Sequence, residues 1–219
     1  MAVALRLIAA KLKNRQFTTA EVGAMLGLTT TEVNNLIDEV ARPGIARAGR
    51  GKRTVEYRGL FAMLVAKELI HCQLKPELRR QALLQVLGNT TKRIPVPGTN
   101  LELLVQPIRQ QINNGLRKLY EAEATVGRSS EVMQGEPCIK GTRVPVYMIG
   151  KLVDHRGMEE TLATYPQLTE RQVVFAQCYA RAHPRKGPPK RVVIPSQGRV
   201  VEKKIIRRSK AGTSGQPHK

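Results

Sequence analysis

Two groups of side chains in this sequence are suited to chemistry, and in both the chemistry is recognition of negative charge. The first gathers Thr30, Thr31, Asn34 and Asn35 and, shortly after, Arg47, Arg50, Lys52 and Arg53. Short hydroxyls and carboxamides reach phosphates and base edges, and a basic loop neutralises phosphates. The second is the arginine set Arg191, Arg199, Arg207 and Arg208, with the apolar triplet Val192-Val193-Ile194 among them. A guanidinium meets a carboxylate as a two-pronged fork, and an apolar triplet docks a groove or adds a strand to a partner sheet. The sequence does not choose among the four arginines.

Catalytic groupings are absent from the pattern. His71, His155, His183 and His218 are scattered, with no HExxH and no nucleophile–base spacing. Lys140-Gly141-Thr142-Arg143 lacks the GK[ST] step into a helix that a phosphate-binding loop requires. Asp154 beside His155 reads as a helix-end pair. Cys72, Cys138 and Cys178 are odd in number and include no CxxC. They argue against a zinc cluster or disulfide scaffold and for a reducing compartment, and read as three buried thiols. No enzymatic activity, cofactor or metal is expected.

The charge balance agrees with polyanion binding. There are 37 Lys/Arg against 17 Asp/Glu, for a net charge of +20. Residues 184–219 hold eleven of the bases and one acid, Glu202, so the excess divides evenly between this tail and the preceding chain. A field of that sign favours nucleic acid or a partner with an acidic cleft. No apolar run approaches the roughly 18 residues that read as a membrane-spanning helix. Residues 1–13 form an amphipathic pattern through Leu5, Ile8, Ala9 and Leu12 without a cleavage site, so a cytoplasmic N-terminal helix is expected.

The elements that must position the first group are legible from their caps. Thr18 or Thr19 opens a helix with Val22, Met25 and Leu26 on its inner face, and Gly27 supplies the turn. Thr29 or Thr30 opens a second helix with Val33, Leu36 and Ile37 inward, which leaves Thr30, Thr31, Asn34 and Asn35 outward. Residues 44–57 read as a hairpin with a glycine-rich basic tip. Helices over 60–72 and 76–87 follow, the latter closed by Gly88-Asn89. Ile94 and Val96 read as a short strand or an extended linker, and as a strand it would pair with one at Leu101, Leu103 and Val105. A longer helix from about 107 to 126 starts at Pro107 and carries Ile108, Ile112, Leu119, Ala122 and Val126 at near-heptad spacing. That stripe suits either a dimer contact or packing within its own domain.

Residues 135–147, GEPCIKGTRVPVY, hold Pro137, Gly141 and Pro145 around the alternating run Arg143-Val144-Pro145-Val146, the pattern of an edge strand behind a tight turn. A helix over 147–155, a turn, a second helix, a corner at Tyr165-Pro166-Gln167-Leu168 and a third helix from Thr169 complete this region. The run from Gly135 to Val146 fits GxPxIxGTRxPV. It is followed by Tyr165-Pro166-Gln167-Leu168-Thr169 and then by Tyr179-Ala180-Arg181-Ala182-His183-Pro184. These three motifs, covering roughly 128–184, resemble antitoxins of the VapB type. The helix-turn-helix, wing and following helix are similar to the winged DNA-binding domain of the MerR class.

The resemblance implies a mainly α protein with a short β wing and strands, a winged helix-turn-helix joined to a small trihelical antitoxin domain. Residues 1–75 would bind DNA, 76–127 would connect and dimerise, 128–184 would form the antitoxin domain, and 185–219 would bind the toxin. By family, the partner is a cognate PIN-domain ribonuclease whose metal site is a cluster of acids, and the tail arginines would occupy it. The same resemblance implies a homodimer on operator DNA, repressing its own operon, with no membrane association. The long Val- and Ile-bearing tail departs from the shorter proline- and arginine-rich end the family leads one to expect. The alternative reading is a stand-alone winged helix-turn-helix transcription regulator with a C-terminal sensor or dimerisation domain.

Overall fold

The computed structural model describes residues 15–41, 45–47, 53–88, 93–96, 98–129 and 135–185. The expected N-terminal helix over 1–13 lies outside them. The chain is mainly helical, with short antiparallel strand pairs.

Strand β1 (Gln16–Thr18) leads into α1 (Thr19–Leu26), which turns through Gly27 and Leu28 into α2 (Thr30–Val40). Both helices open on a reciprocal capping box. Thr18 accepts from the Glu21 amide while the Glu21 carboxylate accepts from the Thr18 amide, and Thr29 and Glu32 repeat the arrangement. Gly27 closes α1 at φ +68°, a left-handed conformation that only glycine takes at little cost.

The wing is β2 (Ala46–Arg47) against β3 (Thr54–Glu56), and β3 also pairs with β1 on its other side. Phe17 faces Val55 across that ladder, and both are fully buried. The three-stranded sheet, order β1-β3-β2, thus ties the wing to the start of α1. Helix α3 (Tyr57–His71) begins three residues before the expected boundary, and α4 (Pro76–Gly88) follows the sequence reading closely.

Strands β4 (Arg93–Pro95) and β5 (Glu102–Leu104) form the expected hairpin, and α5 (Val105–Thr125) starts two residues before Pro107, which still sits in the first turn. The stripe of α5 resolves one question. Ile108, Ile112, Leu119, Ala122 and Val126 are all buried within the chain, against α1, α3 and the C-terminal helix. That surface is consumed by intrachain packing and is not free for a dimer contact.

The C-terminal region corrects the expected strand. The ladder there is β6 (Val126–Gly127) with β7 (Cys138–Ile139), one step upstream of the run Arg143 to Val146. A turn follows in which the Thr142 hydroxyl donates to the Ile139 carbonyl at 2.9 Å and accepts from the Val144 amide at 3.1 Å. Pro145 then makes a single bridge to Cys138 and serves as the N-cap of α6. The alternation at 143–146 arises from this turn-and-cap geometry, and Pro145, with no amide hydrogen, sits where a ladder could not continue. Helix α6 (Val146–Thr164) breaks at Gly157, the expected turn between two helices, and α7 (Glu170–Ala182) starts from a third capping box, Thr169 with Gln172.

One hydrophobic core runs through all these elements. Helix α7 packs against α6, α5 and α1, and α1 packs against α5, so helices from the head and from the C-terminal region share buried neighbours. Cys138 and Cys178 are buried and burial pushes both thiols up, whereas Cys72 is exposed, contrary to the reading of three buried thiols. Cys72 is the C-cap of α3, where the helix ends and the chain turns outward.

Candidate nucleic-acid interface

Val33, Leu36, Ile37 and Val40 bury one side of α2, which fixes the opposite side outward. Thr30, Thr31 and Asn35 are exposed there, and Asn34 is half-buried. Thr30 and Thr31 occupy the first helical turn, where backbone amides remain free and the helix dipole favours an anion.

Asn34 is engaged from the wing. Arg53, just before β3, donates to the Asn34 carbonyl at 3.3 Å and approaches its side-chain oxygen at 3.5 Å. The same guanidinium lies 3.1 Å from the Asp38 carboxylate. Arg53 therefore braces the wing against α2 while staying at the surface. Arg47 contributes its backbone to β2. Its side chain, and Arg50 and Lys52 altogether, lie outside the described residues.

The electrostatics of α2 were not anticipated. The helix contains Glu32, Asp38 and Glu39 and no lysine or arginine. Each acid has a partner. Glu32 serves the cap, where hydrogen bonds from the Thr29 amide and then the Thr29 hydroxyl hold its carboxyl below the usual range. Asp38 is held by Arg53, and Glu39 accepts from Arg79 at 3.1 Å. The outward surface is left with neutral donors and acceptors, suited to base edges, and cations must come from flanking elements.

A second constellation escaped the sequence reading. Arg15 places its guanidinium 2.6 Å from Glu21 and 2.7 Å from Glu123, joining the first turn of α1 to α5. Burial alone would raise the Glu123 pKa. His183 and Arg15 outweigh it and hold the carboxyl down at about 2. His183 Nε2 stands 3.3 Å from that carboxylate, without hydrogen-bond alignment. Glu21, Glu123 and His183 are close enough to share a cation, with ligand atoms within 4.8 Å of one another. Arg15 fills that role, and the donor set fits an ion-pair cluster better than a metal centre.

The motif residues near the C-terminus explain one another. The Tyr147 hydroxyl donates to the His183 carbonyl at 2.7 Å, the Tyr179 ring lies 4.6 Å from the His183 ring, and Arg128 donates to the Tyr179 hydroxyl at 3.2 Å. Arg185 stacks on Tyr147 at 4.5 Å and pairs with Glu136. Tyr147, Tyr179 and His183 thus fix the direction in which the chain leaves α7. Asp154 is bound by Arg181 at 2.5 Å and by Gln177 at 2.8 Å, so its partners lie on α7 and not at His155. Arg191, Arg199, Arg207, Arg208 and Val192, Val193 and Ile194 lie outside the described residues. Among the described residues, no helix is long and apolar enough to cross a membrane.

Residues 126–180 match the family described as "Protein of unknown function (DUF433)". The chain is also 29% identical over 115 residues to "Uncharacterized protein y4eO" of Sinorhizobium fredii (strain NBRC 101917 / NGR234), a match covering 51% of this chain and 52% of that protein. The chain thus spans about half the length of that curated relative. No solved structure matches this chain. The segment that matches this family model begins at β6 and ends within α7.

Proposed function

We propose that this chain is the antitoxin of a type II toxin–antitoxin pair. In this reading it binds operator DNA through α1, α2 and the wing, and inhibits a PIN-domain ribonuclease through the basic segment beyond His183. The observation that carries the DNA half is the exposed neutral face of α2, with Thr30, Thr31 and Asn35 outward and Arg53 bracing the wing beside it. The partner half rests on the sequence resemblance. The DUF433 match covers the first two VapB-type motifs and the start of the third, and the tail beyond them carries a net +10. Charge of that density hastens encounter with an acidic surface.

The test is co-expression of the full chain with the protein encoded beside it, reading pull-down and ribonuclease activity together. A variant with Arg191, Arg199, Arg207 and Arg208 all replaced by serine serves as the comparison. Silencing by the native chain and not by the variant supports the reading. Silencing by both moves inhibition to the DUF433 region. If neither associates and the chain still binds the DNA upstream of its own gene, it is a stand-alone regulator.

A further inference from the structure

Helix α2 contains three acids, each already partnered, and no base, so the backbone phosphates must be met from elsewhere. The wing supplies part of that charge. A second source lies where α5 packs against α1 near Met25. There a groove of about 430 Å³ opens between the two helices. Its lining includes Met25 and Gly115 together with Gln110, Gln111, Asn114 and Lys118.

Gln110, Asn114 and Lys118 are four residues apart in turn, one ridge of α5. All three carry N–H donors of the kind that phosphate oxygens accept from, and the groove lining includes no acid. Lys118 makes no ion pair among the described residues. The next acid along the helix, Glu121, is held by Arg171 at 2.9 Å. From Val105 to Tyr120, α5 holds Arg109, Arg117 and Lys118 and no carboxylate.

The groove is also fixed in register with the turn. A Cβ at position 115 would stand 2.7 Å from the Met25 carbonyl oxygen, so only glycine lets α5 seat directly on α1. Met25 lies two residues before Gly27, where the chain turns toward Thr30 and Thr31. In helix-turn-helix docking the first helix crosses the DNA backbone while the second enters the groove, so a polar surface flanking α1 borders phosphates.

We infer that this groove is a phosphate-binding surface for duplex DNA, with Lys118 as its charged contact and Gln110, Gln111 and Asn114 as neutral donors. The inference rests on the DNA-binding reading of α2. It extends the contact area to α5, outside the helix-turn-helix and the wing.

Fluorescence anisotropy over a salt series tests it, using the full chain with a duplex from upstream of its own reading frame and with a scrambled duplex of equal length. Lys118→Gln should weaken both duplexes equally, by roughly threefold, and reduce the slope of log affinity against log salt by about 1. Asn114→Lys should tighten both and steepen the slope by about the same amount. Lys151→Gln, an exposed lysine on α6, should change neither slope nor affinity. Unchanged slopes for Lys118→Gln and Asn114→Lys, with Asn35→Ala abolishing preference for the upstream duplex, would overturn the groove and leave the α2 reading standing. A native chain that binds neither duplex removes both together.

Discussion

Replacing Glu123 by glutamine tests whether the head and the C-terminal helix are held by charge. Glu123 is in contact with both Arg15, just before β1, and His183, at the end of α7. Its carboxyl is held at about 2 against an ordinary 4.5. A depressed carboxylate contributes stability that is fully present above the unfolded value and lost as pH falls through the folded one. The window is therefore from about pH 4.5 down to about 2. The full shift corresponds to roughly 3 kcal/mol at 1.36 kcal/mol per pKa unit. The Glu123 side chain is 27% exposed and Arg15 is 28% exposed, so solvent screening reduces the expected contribution to about 1–2 kcal/mol.

Denaturant unfolding of native chain and Glu123→Gln, measured across that window, reads this directly. At neutral pH the variant should be about 1–2 kcal/mol less stable, equivalent to a fall in Tm of roughly 3–6 °C for a chain of this size. The gap should close as pH falls toward 2, because protonation costs the native chain the same ion pairs. A gap that persists unchanged near pH 2 would show that the substitution acts through packing and not through charge. No gap at neutral pH would show that Arg15 and His183 find other partners at no cost.

Three further outcomes are expected. Phe17→Ala empties a fully buried position in the β1–β3 ladder and should cost about 3–5 kcal/mol by denaturant unfolding, with the wing losing its hold on α1. Thr29→Ala removes the acceptor for the Glu32 amide and should cost about 1 kcal/mol, and amide exchange should rise first in the opening turn of α2. Asn35 is exposed, so Asn35→Ala should leave stability within about 0.5 kcal/mol. If α2 reads bases, the same change reduces discrimination between specific and scrambled duplexes by about 1–3 kcal/mol in competition binding.

What could be read in advance followed the reach of the signal. Caps are local signals, so Thr18 or Thr19 and Thr29 or Thr30 could be read as helix starts, and the structure settles on Thr18 and Thr29 with boxes closed by Glu21 and Glu32. The β4–β5 hairpin is nearly as local. Strand β1 was not legible, because Phe17 pairs with Val55 across 38 residues and three residues make no periodicity. The ion cluster was invisible for the same reason, since Arg15 and Glu123 are 108 residues apart. Residue type mattered too. His183 looked like one of four scattered histidines, and only the fold brings it beside Glu123. The stripe on α5 shows a different limit, because a heptad-like pattern reports that a face is buried and says nothing about which neighbour buries it.

The burial of that stripe changes how the proposed halves would communicate. Had α5 been a free dimer helix, signals from a bound partner would have to pass through a second copy. Instead α1, α5 and α7 pack on one another within the chain, with Gly115 of α5 against the Met25 carbonyl and Glu123 of α5 beside His183. The chain leaves α7 through His183, two residues before Arg185 stacks on Tyr147 and pairs with Glu136. A partner that captured Arg185 would release Tyr147, and the Tyr147 hydroxyl holds the His183 carbonyl. Any resulting displacement of His183 acts on Glu123, and Glu123 shares Arg15 with the first turn of the helix that precedes α2. A route from Arg185 to the first turn of α1 therefore runs inside one chain, through four ionic or hydrogen-bonded steps after the stack on Tyr147. Tests of coupling belong on Tyr147 and Glu123 before any interface between copies.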